Sequence, residues 1–219
     1  MNLSQYRTAI REILGDLSAT RWTNNQIDQA LRIALGEYTA AYPQQADHII
    51  TLTETGREID LSSLTWLSNV IQVCYPYDAT ETEQPVIEDW YLYFPAGQPY
   101  LHIGPAASEP QSGEVIQVYY TMPQTIETLD GGASTTVRAD HESYLVMGAA
   151  GHSLNMRANA LTESYGRRTP QDQAFDSGKS YLLTWSKFLK SLSMQFSLPR
   201  PVTGWPGVGW KLDDWDTKS

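Results

Sequence analysis

Apolar residues recur every three or four positions in two stretches near the start of the chain, a spacing that places them on one face of an α-helix. The first stretch contributes Leu3, Tyr6, Ile10, Ile13, Leu14 and Leu17, and the second contributes Ile27, Ala30, Leu31, Ala34, Leu35 and Tyr38. Thr23 followed by Gln26 predicts a capping box at the start of the second helix, and Tyr42-Pro43 predicts its end. We therefore expect a helical hairpin over residues 1–45, with a core formed by Ile10, Leu14, Trp22, Ile27, Leu31 and Leu35.

Between residues 46 and 125 the apolar pattern has a period of two, which is typical of β-strands. It predicts six strands, at residues 48–53, 57–61, 70–75, 90–94, 100–103 and 114–121. The glycine-containing turn at 54–56 predicts a hairpin of the first two strands, and the turn at 95–99 predicts a second hairpin. Because no helical pattern separates the strands, we expect an inserted antiparallel β sandwich or barrel.

The helical period returns between residues 126 and 195. One predicted stripe contains Tyr144, Met147, Gly151, Leu154, Ala158 and Leu161, and the next contains Phe175, Gly178, Tyr181, Leu182, Trp185, Phe188, Leu189 and Leu192. Thr169-Pro170 predicts the start of the last helix. Glycine lowers helix propensity, so the run of small residues at 148–151 predicts the close approach of another helix. The predicted fold class is α+β, a bundle of about four helices with the inserted β module and an extended C-terminal arm.

The predicted arm, residues 196–219, contains three of the seven tryptophans among prolines and glycines that oppose regular secondary structure. Its candidate anchors are Pro199, Trp205, Pro206, Trp210, Leu212 and Trp215. The arm either folds back on its own subunit or docks on another chain. Tryptophan is strongly enriched at binding hot spots, which favours docking.

Composition restricts the function classes. The formal net charge of −10 disfavours sequence-independent binding to phosphate backbones. The single cysteine, Cys74, excludes a disulfide within the chain. There is no basic-then-apolar leader and no apolar run that could span a bilayer. We therefore expect a soluble protein that is made in the cytoplasm and does not enter a membrane.

The sequence contains no recognisable catalytic or metal-binding motif, so we predict that the protein is not an enzyme and holds no cofactor or metal. No nucleophile elbow, phosphate loop or zinc-protease motif occurs. His141 and His152 are eleven residues apart on one predicted helix, too far to share a metal ion. Cys74 lies in a predicted strand and is expected to be a buried apolar residue.

Two surface features of the predicted β module leave alternatives open. The acidic loop carries Asp78, Glu81, Glu83, Glu88 and Asp89. Its spacing matches no calcium loop, so a tail-facing or subunit-facing loop is favoured over a cation site. The aromatic residues of the second hairpin are Trp90, Tyr91, Tyr93, Phe94 and Tyr100. Strand alternation favours a half-buried hairpin, and the alternative function is a carbohydrate- or ligand-binding module that uses this aromatic hairpin.

The opening of the chain resembles the head–tail adaptor (connector) proteins of tailed bacteriophages. The resemblance is carried by Leu14-Gly15-Asp16, by the run from Arg21 to Leu31, by the run from Ala34 to Tyr38, and by Tyr42-Pro43. It covers about a fifth of the chain directly, and the predicted layout of the remainder is similar as well. The inserted β module is larger than the minimal family pattern requires.

The resemblance implies a structural protein of the virion, located at the head–tail junction. It implies a ring of about twelve copies under the portal protein that extends the DNA channel. The expected partners are the portal, tail or nozzle proteins and other copies of the chain. Genomic DNA would pass through the acidic lumen without specific binding. The arm is then expected to dock on the portal or on a neighbouring subunit.

Overall fold

The computed structural model describes residues 1–164 and 169–195. Within these residues it contains four α-helices and seven β-strands, so the predicted α+β class is confirmed. The helices are α1 (Leu3–Leu14), α2 (Asn24–Ala41), α3 (Glu142–Ser164) and α4 (Thr169–Gln195). The strands are β1 (Gln44–Thr51), β2 (Glu58–Asp60), β3 (Asn69–Cys74), β4 (Val86–Ile87), β5 (Trp90–Tyr93), β6 (Tyr100–Ile103) and β7 (Val115–Met122).

The described residues divide into two compact units. The helical unit comprises residues 1–44, 122–164 and 169–195, and the β unit comprises residues 45–121. The helical unit is therefore assembled from both sides of the inserted strands. Its core includes the predicted hairpin residues Ile10, Leu14, Trp22, Ile27 and Leu31, which are buried, whereas Leu35 is partly buried against them.

Local capping fixes the start of both hairpin helices and the end of α1. Asn2 and Gln5 form a reciprocal capping box at the start of α1, and Thr23 and Gln26 form the predicted one at the start of α2. Gly15 ends α1 in the left-handed conformation, with φ of 62°. This early end places Leu17 outside the helix, where it is 73% exposed. The prediction that Leu17 continues the apolar stripe is therefore wrong.

Helix α3 packs against α1, α2 and α4. Its buried residues include Leu145, Val146, Ala149, Ala150 and Ser153. The predicted stripe is incorrect at Tyr144, which is 38% exposed, because the buried face at this end of α3 passes through Leu145, Val146, Ala149 and Ala150 instead. Two other predicted stripe residues, Ile13 of α1 and Phe175 of α4, are also exposed.

The predicted close approach of another helix at residues 148–151 is confirmed, and that helix is α4. A Cβ atom added at Gly148 would lie 2.7 Å from Cδ2 of Trp185, and one at Gly151 would lie 2.9 Å from Cγ of Leu182. Gly178 of α4 is equally close to α3, since its added Cβ would lie 2.9 Å from the side-chain oxygen of Asn155. Glycines on both helices therefore permit the contact.

The β unit contains two sheets, with strand orders β1-β7-β3-β4 and β2-β6-β5. The hairpin of β5 and β6 is confirmed as an antiparallel pair, with Tyr91 opposite His102 and Tyr93 opposite Tyr100. The predicted hairpin of the first two strands is wrong, because β1 and β2 belong to different sheets. The connecting segment bonds elsewhere: Leu52 donates its N–H to the carbonyl of Glu114, and Gly56 donates to that of Pro110.

We predict opposite effects of alanine at two helical glycines. Gly148→Ala should lower the free energy of unfolding by about 1–3 kcal/mol, because the new methyl group overlaps the indole of Trp185. The matched control is Gly36→Ala in α2, where an added Cβ meets nothing within 4 Å. That variant should raise the free energy of unfolding by about 0.5–1 kcal/mol, because glycine loses more backbone entropy on folding than alanine does. Urea unfolding of both variants measures the difference, and equal effects would contradict the close packing.

Candidate interaction surfaces

The loop between α1 and α2 is organised by the carboxylate of Asp16, which is 2% exposed. It accepts hydrogen bonds from the backbone N–H groups of Thr20, Arg21 and Trp22, at 3.0–3.2 Å. Burial alone would raise the pKa of Asp16, but these N–H donors outweigh it, and the pKa lies below its ordinary value. The carboxylate therefore holds the chain reversal in place.

Arg11 connects this loop to both helices. Its guanidinium donates to Asp16 at 3.2 Å, to the carbonyl of Trp22 at 3.0 Å and to the side chain of Asn24 at 2.9 Å. The Trp22 ring is itself buried, and the guanidinium of Arg157 on α3 lies 4.9 Å from its centroid. The loop is consequently anchored to α3 as well as to its own helices.

Polar contacts also tie the central helices together. Glu37 of α2 accepts from the indole N–H of Trp185 at 2.6 Å and lies 3.1 Å from Nε2 of His152. The Tyr38 hydroxyl and Nδ1 of His141 share a hydrogen bond of 2.8 Å. Burial raises the pKa of Tyr38 to about 12 and lowers the pKa of His141 below its ordinary value. The two histidines thus have different polar partners, Tyr38 for His141 and Glu37 for His152.

The helical unit exposes several large apolar side chains. They occur on all four helices or directly after one, with exposed fractions from 37% to 73%: Ile13, Leu17, Ile33, Tyr144, Phe175 and Leu183. Ile13 lines an open groove with Ala9 and Val146. Single exposed apolar residues are common on protein surfaces, but their spread over four helices offers more than one face for contacts with other chains.

The charge of the protein is concentrated in the β unit. Residues 45–121 carry eleven aspartates and glutamates and one basic residue, Arg57, which gives this unit the formal net charge of −10. The rest of the chain carries equal numbers of acidic and basic residues. The Arg57 guanidinium donates to the carbonyls of Ile103, Gly104 and Ala107. The one cation of the unit is therefore already engaged by its own backbone.

The predicted acidic loop consists of tight local turns around β4. Asp78 accepts from the N–H and hydroxyl of Thr80, both at 2.8 Å, and these bonds hold the pKa of Asp78 below its ordinary value. Asp89 accepts from the N–H of Ala106 at 3.1 Å. Glu81, Glu83 and Glu88 are exposed. Among the described residues no group of three or more His, Cys, Asp or Glu side chains could hold a metal ion.

The aromatic hairpin is divided between the two faces of its sheet. Trp90 is 8% exposed and belongs to the buried face, so it does not contribute to an aromatic surface. Tyr91 and Phe94 are about half exposed, and Tyr93 and Tyr100 are partly exposed. The exposed part is thus a tyrosine surface. It also includes His102, which lies opposite Tyr91 and which the sequence analysis did not predict to belong to this surface. Because alternate residues of a strand lie on the same face, the position of His102 two residues after Tyr100 indicates that both belong to this surface.

The predicted docking arm lies outside the described residues, together with its candidate anchors Pro199, Trp205, Pro206, Trp210, Leu212 and Trp215. Within the part of the chain that the structure describes, no helix combines the length and apolar character needed to cross a membrane.

The chain matches no protein-family model and no curated protein. Among solved structures it is similar to a chain of the "Neck of empty GTA particle computed with C6 symmetry", with 15% identity over 68% of this chain and 76% of that chain, and a TM-score of 0.32. A chain of the "Virion of native gene transfer agent (GTA) particle" has 18% identity, the same coverage and the same TM-score. Likenesses this distant do not bear on the function of the present chain.

We predict that Asp16→Asn destabilises the protein at neutral pH and that this loss shrinks in acid. A carboxyl whose pKa is lowered by folding contributes stability above its unfolded pKa and loses it as pH falls through the folded pKa. The difference in unfolding free energy between parent and variant should therefore be constant above about pH 5 and narrow below about pH 4. Urea unfolding across this range provides the measurement.

The control for that experiment is Asp176→Asn, at an exposed position of α4. It removes the same charge from an exposed side chain that organises no buried loop. Its effect on the free energy of unfolding should therefore be small at every pH. A penalty for Asp16→Asn that stays the same from neutral to acidic pH would show that the carboxylate charge does not hold the loop.

Proposed function

We propose that this chain is a structural protein of a phage-like virion and serves as its head-to-tail adaptor. In this proposal about twelve copies form a ring under the portal protein, extend the DNA channel and provide the attachment platform for tail proteins. The proposal assigns the protein no catalytic activity. Its location is the head–tail junction, and its partners are the portal, the tail-side proteins and other copies of itself.

The observation that carries the proposal is the structural role of the residues that resemble connector proteins. Gly15 ends α1, Asp16 collects the N–H groups of the loop, and Trp22 fills the space between the hairpin and α3. Thr23 and Gln26 then start α2. These residues act together in one chain reversal, and this shared structural role supports the proposal.

The exposed apolar side chains support a ring. A ring contact is heterologous, so each subunit must offer two different faces. Ile13 lies in the last turn of α1 and Leu17 lies in the loop after it, whereas Leu183 lies on α4, and each is exposed in the isolated chain. Burial of such side chains between neighbours contributes about 25 cal/mol per Å² of apolar area. These exposed side chains on different helices support the proposal of a ring.

The charge distribution is compatible with a DNA channel. A subunit with eleven carboxylates and one guanidinium in its β unit gives a ring a large negative charge. Negative surfaces repel the phosphate backbone, so DNA passes without the strong electrostatic binding that basic proteins show. We propose that the genome crosses the lumen in this manner.

We predict that the protein assembles with its portal and that assembly depends on exposed apolar residues. Native mass spectrometry of the chain mixed with the portal of the same virus should show a complex with about twelve copies. Leu183→Asp should reduce that complex about tenfold or more, because it places a charge at an apolar contact. Leu183→Met is the matched control and should assemble like the parent. A chain that stays monomeric with the portal present would contradict the proposal.

A second prediction concerns the arm. Removal of residues 198–219, or the triple variant Trp205→Ala, Trp210→Ala and Trp215→Ala, should abolish portal association, because the proposed anchors are lost. Thermal unfolding of the remaining chain should change little. Virions that assemble normally with the shortened protein would show that the arm does not dock on the portal or on a neighbour.

A further inference from the structure

One face of the β2-β6-β5 sheet combines rings and carboxylates in a regular order. Glu58 is opposite His102, which is opposite Tyr91, and Asp60 is opposite Tyr100, which is opposite Tyr93. Each row across the sheet therefore contains one carboxylate followed by two rings. We call this surface the ring face, and its members are Glu58, Asp60, Tyr91, Tyr93, Tyr100 and His102.

The ring face is ordered although it lies outside the core of the unit. Tyr91 stacks on His102 with centroids 4.7 Å apart, and the centroids of Tyr93 and Tyr100 are 5.8 Å apart. The opposite face of the same strands supplies the buried residues Ile59, Leu101 and Ile103. Because these contacts already fix the exposed rings, binding of a ligand would cost the protein little further side-chain entropy.

The two carboxylates of the ring face lack a cation. Among the described residues neither Glu58 nor Asp60 forms a salt bridge, and the lone guanidinium of the unit, Arg57, is bound to backbone carbonyls. Burial raises the pKa of Tyr93, and a hydrogen bond from its hydroxyl to Glu58 raises it further. The face thus presents electron-rich rings beside fixed negative charge in a unit with a formal net charge of −10.

We propose that the ring face binds an arginine-bearing segment of a partner protein. A guanidinium can stack on a tyrosine ring while it donates to a neighbouring carboxylate, and arginine does both better than lysine. The two rows are two residues apart along the strands, about 6.6 Å. Arginines at alternate positions of an extended segment have the same separation, so one side chain reaches each row. The inference does not rest on the assignment to a head–tail junction, since it follows from the β unit.

The probe is a fluorescent peptide, Gly-Ser-Arg-Ser-Arg-Ser-Gly, titrated with the full-length protein at about 0.15 M salt. Fluorescence anisotropy should show binding that weakens about tenfold or more in Tyr91→Ala and in the double variant Glu58→Gln, Asp60→Asn. The charge-matched control is Glu81→Gln, Glu83→Gln, which removes two exposed carboxylates outside the ring face. It should weaken binding less than about twofold, and circular dichroism should confirm that all variants are folded.

Two further peptides test the chemistry and the spacing. The lysine version and a peptide with adjacent arginines should each bind about threefold or more weakly than the probe. Equal losses in the two double variants would overturn the proposal, because they would indicate attraction to net charge alone. Failure of the probe to bind, or unchanged binding to Tyr91→Ala, would overturn it as well. Binding of neutral glycans with no binding of the probe would replace the arginine segment with a carbohydrate.

Discussion

The close contact of α3 with α4 is the constraint on which the helical unit depends. Helix α3 has neighbours on several sides, and it can hold them only where its side chains are small. Gly148 and Gly151 let the side chains of Trp185 and Leu182 approach the α3 backbone. Trp185 then reaches across to Glu37 of α2. A single indole thus links the hairpin from the start of the chain to the helices that follow the β unit.

This arrangement explains how a large insertion is tolerated. The helical unit closes through contacts between residues more than a hundred positions apart, such as Trp22 with Ser153 and Glu37 with Trp185. The inserted residues 45–121 have their own buried side chains and carry the whole formal net charge of −10. Each unit is therefore compact by itself, and the net charge belongs to the β unit. In our proposal the neutral helical unit forms the ring contacts and the acidic β unit faces other partners.

The sequence predicted those features that depend on neighbours along the chain. The capping box at Thr23 and Gln26, the β5–β6 hairpin and the small residues of α3 each have a local signal, and each is found in the structure. The failures have a different origin. The turn at Glu54–Gly56 resembles a hairpin turn, but the backbone there bonds to residues 110–114. No local pattern reveals such long-range pairing.

The candidate surfaces were predictable only in part. The sequence indicates only that Asp16 lies near the end of a helix. In the folded loop three backbone N–H groups donate to its carboxylate, and no local pattern predicts this arrangement. The aromatic residues of the second hairpin were evident in the sequence. Their division into buried Trp90 and exposed Tyr91, and their alignment with Glu58 and Asp60, required the register of three strands.

Native-state hydrogen exchange tests most directly whether the helices before and after the β unit form one closed bundle. The account predicts that the most protected amides of α1 and α2 open with the same free energy as those of α3, because the hairpin loses its core when α3 detaches. Increasing denaturant should leave the three values equal. A hairpin that keeps its protection after α3 has exchanged, or that exchanges far earlier, would contradict a bundle closed across the inserted β unit.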